Sequence, residues 1–322
     1  MLSNTGDVNS HIEFLDGQKN SGDYTFPRFL IDKETLRNSS YSSKGRLSRA
    51  ILSLYASKQP KDWKYIDRNV IVDNFFFVGK PYIMGHTTEF IAQHLNISRE
   101  EMDEVALKSH NEAERATNDG SFKDEIVPVE VPQKRKKPPI VFDKDEHFRP
   151  GITKDDLAAL PPAFVPKTGK VTAGNSSGIN DGSTGMIIMS ADKAKELGLK
   201  PLAKIKATAR GACHPSVMGL SPVPAVNNLI KNSDLSLSDF ELIEVNEAFA
   251  GQYLGCEKEL GLNRDITNVN GSGIGLGHPV GSTGARVVVS LMYALKNRNK
   301  NLGLATLCGG GGVSMACAIE ML

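Results

Sequence analysis

Apolar and polar residues alternate most regularly between residues 166 and 322, and this pattern predicts an α/β domain there. The segment "MIIMSADKAKELGLKPLAKIKATARG" indicates a strand, a helix and a second strand. "FELIEV" is a continuous apolar strand with a helix directly after it. "LGLATLC" and "VSMACAIEML", separated by a glycine turn, indicate two closing strands.

The pattern is different upstream of residue 166. "ISREEMDEVALKSHNEAERA" predicts a helix capped by Ser98, with an apolar stripe formed by Met102, Val105, Ala106 and Ser109. The segment that begins "EVPQKRKKPP" is rich in proline and charge and predicts an excursion over the surface. Residues 1–80 are irregular and polar, although "YSSKGRLSRAILSLYASKQP" fits a short helix and "RNVIVDNFFFVG" a strand.

Composition narrows the function classes. The chain has 322 residues, 40% of them hydrophobic and 23% charged, with a net charge of +1, which is typical of a globular protein without a nucleic-acid partner. The first twenty residues lack the apolar core of a secretory signal, and no apolar run approaches the roughly 18 residues of a membrane span. Four cysteines without C-x-x-C spacing predict neither a disulfide framework nor a zinc site. We therefore expect a cytoplasmic protein with no membrane partner and no metal.

The glycine-rich stretch "NGSGIGLGHPVGSTGAR", residues 270–286, does not match a nucleotide-phosphate loop. No start within it places glycine at the sixth position of G-x-G-x-x-G. The two Gly-Lys pairs of the chain are followed by Pro81 and Val171, whereas a P-loop needs serine or threonine there.

Three reactive side chains lie where a predicted strand meets a turn or a helix, which is where open α/β sheets place their sites. Asn246 follows "FELIEV" and is either a helix cap or a site residue. His278 stands between glycines, before a helix that starts with small residues and so admits a ligand to its N-terminus. Cys308 ends a strand before four glycines, whose N–H groups can form an anion hole and whose turn can leave the thiol accessible.

The other cysteines have different settings. Cys256 and Cys317 each fall on an apolar stripe, so both are predicted to be small core side chains. The stripes consist of Phe249, Tyr253 and Leu260 for Cys256, and of Val313, Met315 and Ile319 for Cys317. Cys213 is next to His214, and the sequence favours a structural role for it over a nucleophilic one.

Together "NEAFA", "GSGIGLGHPVGSTGAR" and "CGGGG", in this order, resemble the thiolase family. "VTAGNSSGINDGSTGMIIMS" and "MGLSPVPA" match further segments of that family, and the resemblance covers about residues 81–322. It implies a thiolase-like layered α/β fold whose C-terminal half is complete. Residues 81–165 would form the end of the N-terminal half plus a loop region, and residues 166–322 the C-terminal domain.

The resemblance implies acyl transfer between a 3-ketoacyl-CoA or acetyl-CoA and coenzyme A, by thiolysis or Claisen condensation, as in fatty acid metabolism. Coenzyme A thioesters would be substrates, and no cofactor is implied. Cys308 would be the proton-moving thiol, and His278 would activate a nucleophilic thiol and polarise a thioester carbonyl. Asn246 would hold a water of that oxyanion hole, and the N–H of Gly310 would serve a second one. The residues implied to line the coenzyme A or acyl pocket are Ser177, Met84, Ala173, Phe164 and Phe249.

The chain departs from the family pattern at its N-terminal side. The family's nucleophilic cysteine lies upstream, but this sequence has no cysteine before Cys213. Residues 1–80 show no thiolase-like pattern, so we expect an atypical extension and a truncated or replaced N-terminal half. An uncovered sheet or helix face should result, with marginal stability or dependence on a partner.

Three interpretations stay open at this point. The chain is an acyltransferase in which Cys213 replaces the nucleophile, a catalytically impaired coenzyme A-binding or assembly subunit, or the remnant of a thiolase gene. The expected partners are acyl-CoA or CoA, and a second copy of the chain or another thiolase-like subunit.

Overall fold

The computed structural model describes residues 29–30, 65–66, 84–133 and 137–322. They fall in two units: residues 29–30, 65–66 and 214–216 belong to the first, and residues 84–133, 137–213 and 217–322 belong to the second. In the first unit, β1 (Phe29–Leu30) pairs antiparallel with β2 (Tyr65–Ile66). The helix and the strand that the sequence suggests within residues 41–79 lie outside the described residues.

A four-stranded sheet forms the centre of the second unit, in the order β5-β8-β7-β6. Its strands are β5 (Ala203–Ala212), β6 (Leu242–Val245), β7 (Leu302–Gly309) and β8 (Val313–Met321). β6 and β7 run parallel, whereas β8 is antiparallel to both β7 and β5. All four strands agree with the predictions from the apolar runs.

Helices cover both faces of this sheet. They are α1 (Met84–His94), α2 (Arg99–Asn118), α3 (Lys154–Ala158), α4 (Ala191–Glu196), α5 (Pro222–Lys231), α6 (Ala250–Leu260), α7 (Gly273–Leu276) and α8 (Thr283–Asn297). On one face, side chains of α1, α2, α5 and α6 form the main core with β6, β7 and β8. On the other face, Leu291 and Leu295 of α8 pack against Leu242 and Ala305 of the sheet.

Helix α2 shows why local sequence suffices for some elements. The Ser98 hydroxyl accepts from the N–H of Glu101, and the Glu101 carboxylate accepts from the N–H of Ser98, so two otherwise unpaired N–H groups are satisfied. The predicted stripe of α2, which includes Met102, Val105 and Ser109, is buried. The predicted cap and the predicted stripe are therefore both confirmed.

Surface segments complete the second unit. β3 (Val129–Val131) and β4 (Ile140–Phe142) form an antiparallel pair with exposed side chains, which agrees with a predicted excursion over the surface. Two short 3₁₀ segments span Pro215–Leu220, whose first two residues are assigned to the first unit, and Leu237–Asp239.

The predicted strand "MIIM" is wrong, because residues 186–189 have no regular secondary structure. The apolar pattern favours a strand, but a strand needs a neighbour for its N–H and C=O groups, and none pairs with this segment among the described residues. Ile187 is 87% exposed, and Ile205 and Met315 on the sheet are about half exposed. This is the kind of uncovered apolar surface that the sequence predicts, while the marginal stability expected from it stays a prediction.

The cysteines partly follow their predictions. Cys256 is fully buried, as expected of a core side chain. Cys317 is partly buried and packs against the core cluster that contains Leu291 and Ile319, while Val313 and Met315 farther along the same face of β8 are exposed. The predicted core position of Cys317 is therefore confirmed in part. None of the four cysteines is in a disulfide.

Candidate active site

The carboxyl ends of the parallel strands β6 and β7 bring two of the expected site residues to one edge of the sheet. Val245, the last residue of β6, is in register with Thr306 of β7. Asn246 continues this pairing, and its backbone N–H donates to the Thr306 carbonyl at 3.1 Å. Cys308 follows two residues later in β7. Asn246 has no exposed surface and Cys308 is 6% exposed, so both lie in the interior at the strand ends.

Asn246 does not cap the following helix. The N-cap of α6 is Phe249, which makes no side-chain capping bond. The Asn246 Oδ1 instead accepts from Arg286 Nη2 at 3.3 Å, and its Nδ2 is buried without a partner. Of the two alternatives that the sequence leaves open, the cap is therefore wrong.

The backbone around His278 is fixed by a neighbouring segment. The His278 N–H points at two acceptors, the Gly178 carbonyl at 3.3 Å and Asn180 Oδ1 at 3.2 Å. Gly277 before it has φ +85°, and a Cβ there would lie 2.5 Å from Asn180 Oδ1. A side chain at this position would be strained at this φ and would clash with Asn180, so the residue has to be glycine. Gly277 therefore allows the backbone of His278 to lie close to the segment that holds it.

The tautomer of His278 follows from its hydrogen bonds. Its Nδ1 lies 2.7 Å from Thr283 Oγ1, the first residue of α8. The Thr283 hydroxyl has one hydrogen, and it donates this to the Pro279 carbonyl at 2.9 Å. Thr283 therefore accepts from His278, so Nδ1 has the hydrogen and Nε2 has the lone pair.

Burial, aided by the nearby Arg286 cation, lowers the pKa of His278 to about 4. The imidazole is consequently neutral at neutral pH, with Nε2 able to accept a proton.

The sequence does not single out Thr283 or Arg286. The only local signal is their position on α8, at five and eight residues after the histidine, because helical spacing places both near the start of one helix.

Cys308 lies in a small apolar cluster. It packs with Met218 and Ala248, and two of the expected pocket residues, Met84 and Phe249, lie against the same cluster. The sequence suggests an accessible thiol, but the Cys308 thiol is buried because these side chains pack over the strand end. Gly310 is exposed in the turn after β7.

Three of the expected pocket residues, Ser177, Phe164 and Phe249, lie around the same strand end. The rings of Phe164 and Phe249 meet edge to face with centroids 6.1 Å apart. The Ser177 N–H donates to the Ala248 carbonyl at 3.0 Å, so the segment from Ser177 to Asn180 connects the cysteine cluster to His278. Ala173, the fifth expected pocket residue, is exposed to solvent. The functional roles of all these residues stay predictions.

Cys213 lies beside the glycine turn. Its N–H donates to the Gly312 carbonyl at 2.8 Å, and its thiol donates to the Val217 carbonyl at 3.3 Å. The first bond attaches the end of β5 to the turn that follows Cys308. This agrees with the structural role that the sequence favours.

Two buried glutamates near the site were not found from the sequence. Glu247 accepts from Ser109 Oγ at 2.5 Å, from Asn268 Nδ2 at 2.8 Å and from the N–H of Ile274 at 3.3 Å, so it ties α2 and α7 to the strand end. Glu244 is 2% exposed, and desolvation raises its pKa to about 8. Both glutamates stand within apolar runs, where the sequence pattern indicates only a buried strand and a turn.

In residues 84–133 and 137–322, no group of three or more histidine, cysteine, aspartate or glutamate side chains has the geometry to hold a metal ion. Within the same ranges, no helix is both long and apolar enough to cross a membrane.

Two family profiles match this chain. "Thiolase, C-terminal domain" matches residues 199–321, and "Thiolase, N-terminal domain" matches residues 45–192. The second match begins inside the segment that the sequence sets apart as an extension, so a boundary near residue 80 stays a prediction.

Three known proteins show how far the similarity extends. The acetyl-CoA acetyltransferase of Cupriavidus necator is 46% identical over 259 residues, which cover 80% of this chain and 65% of that protein. The crystal structure of the Bacillus anthracis acetyl-CoA acetyltransferase is 47% identical with a TM-score of 0.74, covering 82% of this chain and 66% of that one. Human mitochondrial 3-ketoacyl-CoA thiolase in complex with CoA is 40% identical with a TM-score of 0.67, covering 74% and 59%.

The chain belongs to the thiolase family. It has the family's mixed α/β fold, as the sequence resemblance implies. It spans less than two thirds of the length of the curated relatives that it matches.

Proposed function

We propose that this chain is a thiolase-family acyltransferase that transfers an acyl group between an acyl-CoA or 3-ketoacyl-CoA and coenzyme A. One observation supports this most directly. The ends of parallel β6 and β7 place Asn246 and Cys308 at one edge of the sheet, and the segment from Ser177 to Asn180 connects that edge to His278. These are a thiol, an amide donor and a neutral imidazole, which are the groups that thioester chemistry needs.

In the proposed mechanism, His278 Nε2 accepts the proton of the attacking thiol, and Thr283 keeps Nδ1 protonated throughout. The resulting Nε2–H donates to the thioester oxygen as negative charge develops on it. Asn246 Nδ2 contributes the second donor, either directly or through a water. In thiolysis the tetrahedral intermediate then breaks its Cα–Cβ bond, and the acetyl-CoA enolate leaves and takes its α-proton from the Cys308 thiol. The N–H of Gly310 serves the second oxyanion, and condensation runs the same steps in reverse.

The expected ligand is the coenzyme A moiety, with no further cofactor. The support is that the matched relatives are named acetyl-CoA acetyltransferase and that a matched thiolase structure contains CoA. Met84, Phe164 and Phe249 form an apolar wall beside Cys308 that suits a short acyl chain.

The test is thiolysis of acetoacetyl-CoA by the purified chain. The reaction is followed by the decrease in the absorbance of acetoacetyl-CoA as this substrate is consumed. Cys308→Ala should abolish turnover, while Cys317→Ala, which removes a half-buried thiol on β8, should leave it intact. A chain that binds CoA tightly without turnover would support the alternative of an impaired coenzyme A-binding subunit. A chain that shows neither turnover nor CoA binding would refute the proposal.

The nucleophile is tested separately by intact mass after incubation with acetyl-CoA. If Cys213 replaces the upstream cysteine, a single acetyl adduct should form and should be lost in Cys213→Ala. An adduct that persists in this variant would exclude Cys213 as the acylated thiol.

The cellular setting is part of the proposal. We place the activity in the cytoplasm and in fatty acid metabolism, and we expect a homo-oligomer or a complex with another thiolase-like subunit. We expect the exposed Ile187, Ile188 and Met315 to contribute to this association, because contiguous exposed apolar surface marks interaction sites.

A further inference from the structure

The contact between Arg286 and Asn246 fixes the direction of the Asn246 amide. A guanidinium has only donors and no acceptor, so the atom that faces Arg286 Nη2 at 3.3 Å has to be the Asn246 oxygen. The Asn246 Nδ2 then points the other way, where it is buried without a partner. A buried donor without a partner costs about 1–3 kcal/mol, so its orientation requires a physical cause.

The Asn246 amide is closely packed on the side of α7. Gly273 of α7 lies against the amide, and a Cβ there would be 2.9 Å from Asn246 Oδ1. The amide is therefore held between a glycine backbone and a guanidinium, and it has no exposed surface.

Arg286 is available for this role because no carboxylate neutralises it by direct contact in the described part of the chain. Its Nε and Nη1 are buried without partners, although the carboxyl groups of Glu244, Glu125 and Asp145 lie close enough for electrostatic interaction. The same cation also helps to lower the pKa of His278. Arg286 thus contacts the Asn246 amide and also acts electrostatically on His278.

We propose that Arg286 is a positioning residue that turns the Asn246 amide so that its Nδ2 donor faces the thioester oxygen. The cation holds Oδ1, which prevents a flip that would present an acceptor to the developing negative charge. This inference rests on the proposed function, because the oxygen that Nδ2 serves belongs to the coenzyme A thioester.

The first test compares the affinity for acetyl-CoA with that for S-ethyl-CoA, a thioether without the carbonyl oxygen. The wild-type chain should prefer the thioester, and Arg286→Met should lose roughly tenfold of this preference while binding the thioether unchanged. Arg286→Lys, which restores a cationic donor, should recover most of the preference. Arg286→Gln serves as a second neutral variant if the methionine variant does not fold. Arg264→Met, which removes a surface guanidinium paired with Glu257, is the matched control.

The second test needs no ligand. Hydrogen exchange at the Asn246 side-chain amide, followed by NMR, should be slow in the wild type and in Arg286→Lys and roughly tenfold faster in the neutral variants. A preference for the thioester and a slow exchange that both survive in the neutral variants would overturn the inference. If the wild type binds neither CoA compound, the proposed function fails, and the amide exchange alone then decides the role of Arg286.

Discussion

Replacing Thr283 with valine should destabilise the chain and release the His278 ring from its single tautomer. Valine has nearly the same shape as threonine, so no cavity forms at a position that has no exposed surface. The variant loses the bond from the Thr283 hydroxyl to Pro279 and the bond from His278 Nδ1 to Thr283. The perturbation is therefore the removal of two partly buried hydrogen bonds and little else.

The magnitude follows from these two bonds. Each neutral hydrogen bond contributes about 1 kcal/mol, and the His278 N–H and the Pro279 carbonyl are left behind in a partly buried setting, so the free energy of unfolding should fall by about 2–3 kcal/mol. Thr283→Ser is the matched control, because it keeps both bonds and loses only a methyl group. Its cost should be about 1 kcal/mol.

Urea unfolding followed by circular dichroism measures the stability, and the ¹⁵N shifts of the His278 ring report the tautomer. In the wild type and in Thr283→Ser, Nδ1 should be the protonated nitrogen. In Thr283→Val the two tautomers should exchange. A valine variant as stable as the serine variant, with Nδ1 still fully protonated, would refute the assignment of Thr283 as the acceptor.

Three further substitutions test other parts of the structure. Because the pKa of Glu244 is raised to about 8, its contribution to stability is complete below the ordinary pKa of 4.5 and is lost as the pH rises through 8. Glu244→Gln should therefore gain stability relative to wild type between about pH 5 and about pH 8 in urea unfolding, and a pH-independent difference would contradict this. Gly273→Ala should cost about 1–3 kcal/mol, because its Cβ would lie 2.5 Å from the Glu247 carbonyl oxygen. Gly284→Ala, whose Cβ would meet its nearest neighbour at 3.9 Å, should be close to neutral in the same assay. Leu291→Ala should cost about 2–5 kcal/mol and lower the thermal midpoint, since this side chain is fully buried between α8 and the sheet; a small loss would show that the layer can collapse.

The site itself could be only partly predicted from the sequence. Asn246, His278 and Cys308 were found because each stands at the end of a strand or among glycines, which are local features. Arg286 and Thr283 were missed because their partners depend on how α8 lies against the end of β6 and against the His278 loop. Glu244 was missed because an acidic residue in an apolar strand does not reveal whether its carboxylate is protonated.

The sequence by itself determined the elements whose signals are local, namely the capped helix α2 and the four strands of the sheet. Tertiary structure alone decided which side of the Asn246 amide faces Arg286, which nitrogen of His278 has the proton, and that Cys308 is buried. It also left residues 186–189 outside the sheet. The physical reason is that capping and periodicity act within one turn or one strand, whereas hydrogen-bond partners, desolvation and strand pairing depend on residues far apart in the chain.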